Sequence, residues 1–161
     1  MIRILGVDPG LAATGWGVIE AEGSKISIID YGFIKTLPSD TPGHRLMIIH
    51  NTLNDIIERF KPDQASIEDI FFARNKLSAI PVAQAKGVIL LIMEQKNLET
   101  FVFTPLQIKQ ALTGNGRAEK EQVQEMVKLI LGLKNKIKPD HAADALAAAI
   151  CCSNNYPLTG V

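Results

Sequence analysis

Near its N-terminus the chain reads Ile4-Leu5-Gly6-Val7-Asp8-Pro9-Gly10, an apolar run that ends at a carboxylate. The aliphatic side chains predict a buried β-strand over residues 2–8. Pro9 fixes its own φ and lacks a backbone donor, and Gly10 allows the chain to turn. Asp8 therefore lies where a strand meets a turn. It either starts that turn, as Asp commonly does, or points into a site, and this segment alone favours neither interpretation.

The segments that follow predict an α/β layered domain with a mixed sheet. Apolar runs and alternation predict further strands over residues 14–20, 25–36, 64–69 and 99–104. Short, glycine-containing connections make the first three strands antiparallel neighbours. Helical spacing predicts helices over residues 43–60, 106–112 and 119–131, one long helix within 75–96, and a last helix that begins at Asp140.

The long helix contains Val88-Ile89-Leu90-Leu91-Ile92-Met93, which is apolar on every side. Such a helix must be covered on more than one face. A partner subunit and packing inside the monomer are equally open as the cover. Pro81 is expected in the first turn of this helix or at a kink.

At 161 residues the chain is expected to form one domain, 1–161, with the last ~8 residues as a flexible tail. The longest fully apolar stretch is too short to span a membrane, and no secretory signal is visible. Cys151 and Cys152 are adjacent, which suits a reducing compartment. We therefore expect a cytoplasmic protein with no membrane partner.

The formal net charge is zero, which argues against binding nucleic acid through overall charge. Residues 105–138 nevertheless hold seven lysines and arginines against three acidic residues. A basic segment between two acid-bearing segments suits a phosphate-binding surface beside a metal site. A solvated surface helix explains the same charges equally well.

Two further acids occupy places that match Asp8. Glu68 ends its strand, so parallel, adjacent strands would bring Asp8 and Glu68 to the same edge of the sheet. Asp144 lies in the alanine-rich start of the last helix, where an unpaired buried carboxylate is costly. The small alanines would let this helix approach the sheet closely, and Asp140 is expected to cap its N-terminus. Such a cluster of acids predicts a hard cation such as Mg²⁺.

Several segments together resemble the RuvC family of Holliday junction resolvases. They are Val7-Asp8-Pro9-Gly10, Thr14-Gly15-Trp16-Gly17, Ile67-Glu68 with Phe71, Ala118-Glu119-Lys120, and residues 140–146. The resemblance implies a ribonuclease H-like fold with a mixed five-stranded sheet flanked by helices. It also implies a homodimeric endonuclease that nicks two opposed strands of a four-way DNA junction in recombination and repair. A branch-migration complex of the same pathway is the further partner that it implies.

The same resemblance assigns roles to individual residues. Asp8, Glu68 and Asp144 match the metal-binding carboxylates, for Mg²⁺, with two ions per subunit and Mn²⁺ as a substitute. His141 falls at a fourth catalytic position and would either bind metal or move a proton. The expected DNA-binding residues are the aromatic Phe71, the basic Lys109 and Lys120 near the scissile phosphate, and Arg74, Lys76 and Arg117 on the backbone. The last three are weaker candidates, and a solvated surface position is the favoured explanation for each.

Three other functions stay open at this point. A ribonuclease H-like enzyme that processes ribosomal RNA would share the acids. An actin-like or sugar-kinase-like nucleotide-binding protein would share the Asp-x-Gly start, although 161 residues leave little room for a second lobe. A junction-binding protein without catalysis would bind DNA and never cut it.

Overall fold

The computed structural model describes residues 1–69 and 76–155. A five-stranded sheet with the order β3-β2-β1-β4-β5 forms its centre. The β1–β2 and β2–β3 pairs are antiparallel, and the β1–β4 and β4–β5 pairs are parallel. The predicted mixed sheet, with three antiparallel strands first, is confirmed. The strands are β1 (Ile2–Asp8), β2 (Ala13–Glu22), β3 (Lys25–Lys35), β4 (Gln64–Glu68) and β5 (Glu99–Phe103).

Helices cover both faces of the sheet at the places that the sequence predicted. Those on one face are α1 (Pro42–Phe60) and α2 (Lys76–Gln95), and those on the other are α3 (Pro105–Thr113), α4 (Lys120–Ile130) and α5 (Asp140–Asn155). The sheet therefore separates two apolar cores. The core between the sheet and helices α1 and α2 contains Leu53 and Ile89. The core on the other face contains Leu146 and Ile150 of α5.

Local signals fix the ends of these helices. The Thr41 side chain accepts a hydrogen bond from the His44 N–H at the start of α1, with Pro42 in the first turn. In α3, Thr104 and Gln107 form a capping box, and Gly114 ends the helix at φ 73. These ends matter for function because α3 and α4 line the edge of the sheet where Glu68 emerges.

Pro81 lies inside α2. The expectation that it lies in the first turn of this helix is therefore wrong. A proline at this place removes a single i→i−4 hydrogen bond near the N-terminal end, and the helix continues to Gln95. Ala85, Ile89, Ile92 and Met93 form its buried face.

The opposite side of α2 is exposed within the described chain. We call it the α2 stripe, and it consists of Ile80, Gln84, Gly87 and Leu91. These residues recur at helical spacing and therefore share one face. Leu91 is 53% exposed, so packing inside the single chain does not cover this helix on every side.

One helix of the described chain, over Leu77–Gln95, is long and apolar enough to cross a membrane by length and composition alone. The uninterrupted apolar run in the sequence is shorter than this window. A helix that packs against a sheet on one face and another protein on the other has the same composition. The finding is weak evidence for a membrane span, and the absence of a membrane partner stays a prediction.

Candidate metal centre

Adjacent parallel strands carry Asp8 and Glu68 to the same edge of the sheet. β1 pairs with β4 in a register that places Val7 opposite Ile67. The next residues along the two strands are Asp8 and Glu68, which emerge together at the carboxyl edge. The predicted geometry of these two acids is confirmed.

Helix α5 lies directly on this part of the sheet. A Cβ atom at Gly6 would lie 1.9 Å from the Ala145 carbonyl oxygen, and one at Gly15 would lie 1.9 Å from the His141 carbonyl oxygen. The Ser66 hydroxyl also donates a 2.7 Å hydrogen bond to the Ala148 carbonyl. The alanines of the helix predict close packing, but the contribution of these strand residues was not predicted. Glycine inside a strand was the available signal, since it often marks a close backbone approach.

This close packing brings Asp144 to Asp8 and Glu68. One oxygen atom from each of the three carboxylates lies within 4.8 Å of the others. The pKa of Glu68 is raised to about 9 by burial and by the negative charges of Asp8 and Asp144. Burial and the charge of Asp8 likewise raise the pKa of Asp144. Three carboxylates this close repel one another unless a proton or a cation lies between them.

The donor set therefore fits a divalent cation. Carboxylate oxygens are the ligands that Mg²⁺ and Mn²⁺ prefer, and cation binding would replace the repulsion with attraction. An acidic cluster capable of metal binding is thus present at the carboxyl edge of the sheet.

His141 lies beside this cluster at the start of α5. Its Nδ1 atom is 3.0 Å from Asp8 Oδ2, and half of its side chain is exposed. The hydrogen bond to Asp8 raises the pKa of His141, against the opposing effect of burial, and the charges of Asp8 and Asp144 add to the increase. The raised pKa of His141 favours its imidazolium form, in which Nδ1 donates a hydrogen bond to Asp8.

Two lysines lie on the opposite side of the acids. Lys120 Nζ is 3.3 Å from Asp144 Oδ2, and Lys109 and Lys120 line a cavity of about 210 Å³ that also contacts Glu68 and Asp144. Burial lowers the pKa of Lys120, but the charges of Asp144 and Asp140 outweigh it and raise the pKa overall. The cavity thus joins two positive charges to the acidic cluster.

Asp140 is the first residue of α5, and its carboxylate contacts side chains of neighbouring elements. Its oxygens accept a 3.1 Å hydrogen bond from Gln124 Nε2 and lie 3.5 Å from Lys120 Nζ. No hydrogen bond from the α5 backbone to this carboxylate is present among the described residues, so the expected capping role is replaced by these contacts. Gln124 was not predicted, although a buried glutamine is itself a signal of an internal partner.

Of the remaining predicted residues, the structure describes the side chain of Arg117, which does not join the cluster. Arg117 is exposed, and its backbone N–H donates to the Asn115 side chain at 3.0 Å. Phe71 and Arg74 lie outside the described residues, as does the side chain of Lys76. Their DNA-binding roles stay predictions.

Comparison with known proteins gives the family of this arrangement. The sequence profile of the family described as crossover junction endodeoxyribonuclease RuvC matches residues 4–152. The chain belongs to the RuvC family. The RuvC protein of Halothermothrix orenii is 51% identical over 155 residues, which cover 96% of this chain and 94% of that protein. The RuvC protein of Caldicellulosiruptor saccharolyticus is 48% identical over 93% of this chain and 91% of its own length.

Solved RuvC structures share the fold. Thermus thermophilus RuvC is 35% identical and superposes with a TM-score of 0.88, over 95% of this chain and 94% of that one. The same protein in complex with a Holliday junction substrate gives a TM-score of 0.89, over 94% and 92% of the two chains. The yeast mitochondrial resolvase Ydc2, at 17% identity and a TM-score of 0.68, shares the fold alone. The expected ribonuclease H-like fold and the RuvC family are both confirmed.

Proposed function

We propose that this protein is a crossover junction endodeoxyribonuclease that resolves four-way DNA junctions by nicking two opposed strands symmetrically. Membership of the RuvC family supports the nuclease activity. The Thermus thermophilus relative, whose structure contains a Holliday junction, supports the substrate. The observation that carries the proposal is the cluster of Asp8, Glu68 and Asp144, with one oxygen of each within 4.8 Å of the others. We assign the whole chain, 1–161, to one nuclease domain.

Asp8, Glu68 and Asp144 would hold Mg²⁺, with two ions per subunit and Mn²⁺ as a substitute. Bound Mg²⁺ makes water a better nucleophile and stabilises the leaving oxygen of a phosphodiester. The protein holds the three carboxylates in place through the β1–β4 pairing and the close contact of α5 with the sheet. This rigidity allows the acids to bind a cation without rearrangement of the backbone.

We assign His141 a proton-transfer role in preference to metal ligation. Its Nδ1 atom faces Asp8 Oδ2 at 3.0 Å, and that hydrogen bond stabilises the imidazolium form. An imidazolium has no lone pair to offer a cation. A histidine in this state can give a proton to the leaving oxygen, which is general acid catalysis.

Lys109 and Lys120 would hold the scissile phosphate. Both line the cavity beside Glu68 and Asp144. The phosphate oxygens of a phosphodiester bound at the acidic cluster would face this cavity. Positive charge at this place stabilises the additional negative charge of the transition state. Phe71, Arg74, Lys76 and Arg117 complete the proposed DNA contacts.

We also propose that the protein acts as a homodimer that joins two copies along the α2 stripe. Ile80 and Leu91 carry large apolar side chains, yet they are 54% and 53% exposed. Gly87 between them has no atom within 4 Å of an added Cβ, so a second helix could approach closely there. Two opposed cuts are most simply made by two sites, and the described residues of one chain form a single acidic cluster of this kind. We further propose that a branch-migration complex is a partner of the protein and that the protein is cytoplasmic.

A synthetic four-way junction with a label on each strand tests the function. In Mg²⁺, paired nicks at symmetrical positions are expected, and Asp8→Asn should reduce the rate by at least about 10³-fold because a ligand is lost. Asp63→Asn, at the opposite edge of the sheet, is the matched control and should cut normally. An Asp8→Asn protein as active as the parent would overturn the site assignment. Preferential cutting of structured RNA would favour the ribonuclease alternative, and intact DNA with normal binding would indicate a non-catalytic junction protein.

A further inference from the structure

The edge strand β3 presents two aromatic rings and a lysine on one open face. Tyr31, Phe33 and Lys35 alternate along the strand and are exposed, and we call them the β3 stripe. Tyr31 is 39% exposed and Phe33 is 47% exposed. The residues between them face the other side, where the Trp16 ring packs over Gly32 and Ile34 is buried. Over residues 31–35 the strand is therefore covered on one face and open on the other.

The register of the sheet places this open face beside the metal centre. Asp8 pairs with Gly15 of β2, and Gly15 pairs with Phe33 of β3. Side chains of directly opposite residues share one face of a sheet, so Phe33 lies on the same face as Asp8, two strands away. At ~4.8 Å per strand this separation is about 10 Å. The space above Gly15 between the two is occupied by His141, the residue whose carbonyl contacts that glycine.

Packing among the described residues does not account for the two rings. Ile26 and Ile28, earlier on the same strand, pack against the core beneath α5. After Ile28, the bulge at Val18/Ile19 shifts the register of β3 against β2. Tyr31 and Phe33 therefore belong to neither apolar core of the described chain. Exposed rings next to a lysine are the combination that binds single-stranded nucleic acid, by stacking on bases and pairing with phosphates.

We propose that the β3 stripe binds an unpaired segment of the DNA strand that is cut, with bases stacked on Tyr31 and Phe33 and a phosphate on Lys35. The proposal rests on the proposed function and extends it to a second contact site on the substrate. About 10 Å corresponds to roughly three nucleotides at the ~3.4 Å rise of a stacked strand. A phosphate at the acidic cluster would thus place neighbouring bases over His141 and onto Phe33. The partner that we infer is a locally melted strand, as opposed to duplex DNA, because the faces of bases inside a duplex are covered by the neighbouring base pairs.

Equilibrium binding of labelled DNA tests this inference. The probes are a single-stranded oligothymidylate and a four-way junction, measured by fluorescence anisotropy without divalent cations so that no cutting occurs. Phe33→Ala is expected to weaken binding of both roughly 5- to 150-fold, the loss that corresponds to one stacked base. Phe33→Trp should restore binding, whereas Phe33→Leu, which keeps an apolar side chain without a ring, should not. Leu129→Ala removes a comparably exposed apolar side chain from α4 and should leave binding unchanged.

A second measurement separates the alternatives. For the oligothymidylate, Lys35→Gln should reduce the slope of log affinity against log salt concentration by about one, because one phosphate contact is lost. Unchanged affinity in Phe33→Ala and Phe33→Leu, with normal circular dichroism, would overturn the proposal while junction cutting by the parent protein stands. If Phe33→Ala instead alters sedimentation and not DNA affinity, the stripe is a contact between copies of the chain and the inference is wrong. A parent protein that neither binds nor cuts junctions would overturn the proposed function itself, and this inference with it.

Discussion

Helices α5 and α2 cover opposite faces of the same sheet in different ways. The start of α5 contacts the strands so closely that added Cβ atoms at Gly6 and Gly15 would overlap its backbone. Helix α2 buries one face and leaves Ile80 and Leu91 exposed on the other. The first arrangement fixes Asp144 and His141 beside Asp8, and the second leaves apolar side chains exposed on a helix face. The proposed chemistry and the proposed dimer contact thus lie in different layers of one small fold.

The largest expected effect concerns the acidic cluster between the sheet and the α5 layer. Burial and the charges of Asp8 and Asp144 raise the pKa of Glu68 to about 9 in the metal-free folded protein, from an ordinary value of 4.5. The folded state therefore binds more protons between these values, and the melting temperature without metal should fall as the pH rises through this window. Glu68→Gln should flatten the dependence and stabilise the metal-free protein at pH 8. Thermal melts from pH 5 to 9 measure this.

Two controls accompany those melts. Glu121→Gln removes an acid whose pKa is lowered by Lys136, so the slope above pH 5 should remain. Added Mg²⁺ should stabilise the parent more at pH 8 than at pH 5, because cation binding requires deprotonated ligands. A parent protein whose stability is independent of pH over this range would contradict the buried acidic cluster.

Gly6→Ala tests the close contact itself. The added methyl group would meet the Ala145 carbonyl, which is backbone and cannot rotate away, so we expect a loss of roughly 3 kcal/mol in the free energy of unfolding. Gly43→Ala is the matched control, because an added Cβ there meets no atom within 4 Å and helix propensity favours alanine. Urea unfolding measures both. Equal stability in the two variants would show that α5 does not need the glycine.

Much of this arrangement could be predicted from the sequence. Strand ends at Asp8 and Glu68 follow from apolar runs that stop at a carboxylate, and parallel neighbours must bring such residues to one edge. Local patterns also placed the helices. The close contact of Gly6 with Ala145 could not be predicted in the same way, because a strand glycine does not specify which element approaches it.

The hydrogen bond of His141 to Asp8 joins residues 133 positions apart, so it depends on the angle at which α5 crosses the sheet. The β3 stripe could not be predicted from the sequence either. A bulge between β2 and β3 changes which side chains face α5, and alternation alone does not reveal a bulge. The sequence thus predicts elements and their edges better than contacts between layers.

A smaller effect is expected on the α2 layer. Leu91→Glu places a charge in the proposed interface and should weaken dimerisation at least tenfold, or about 1.4 kcal/mol, while the monomer stays folded. Sedimentation velocity over a range of concentrations measures it. Leu129→Glu on α4 adds the same charge at a residue that is 60% exposed and should leave the dimer intact. A Leu91→Glu protein that sediments as the parent does would locate the interface elsewhere.

The smallest effect on stability concerns Lys120, which connects α4 to the α5 layer. Its Nζ atom lies 3.3 Å from Asp144 Oδ2, but the lysine side chain is 55% exposed, so Lys120→Gln should change the free energy of unfolding by less than about 1 kcal/mol. The lysine competes with a cation for Asp144, so the variant should bind Mn²⁺ more tightly in calorimetry while it cuts junctions more slowly. Lys136→Gln, which removes the ion-pair partner of Glu121, should change neither Mn²⁺ binding nor the rate of junction cutting. Weaker Mn²⁺ binding in Lys120→Gln would mean that the lysine orders the acids and does not compete for them.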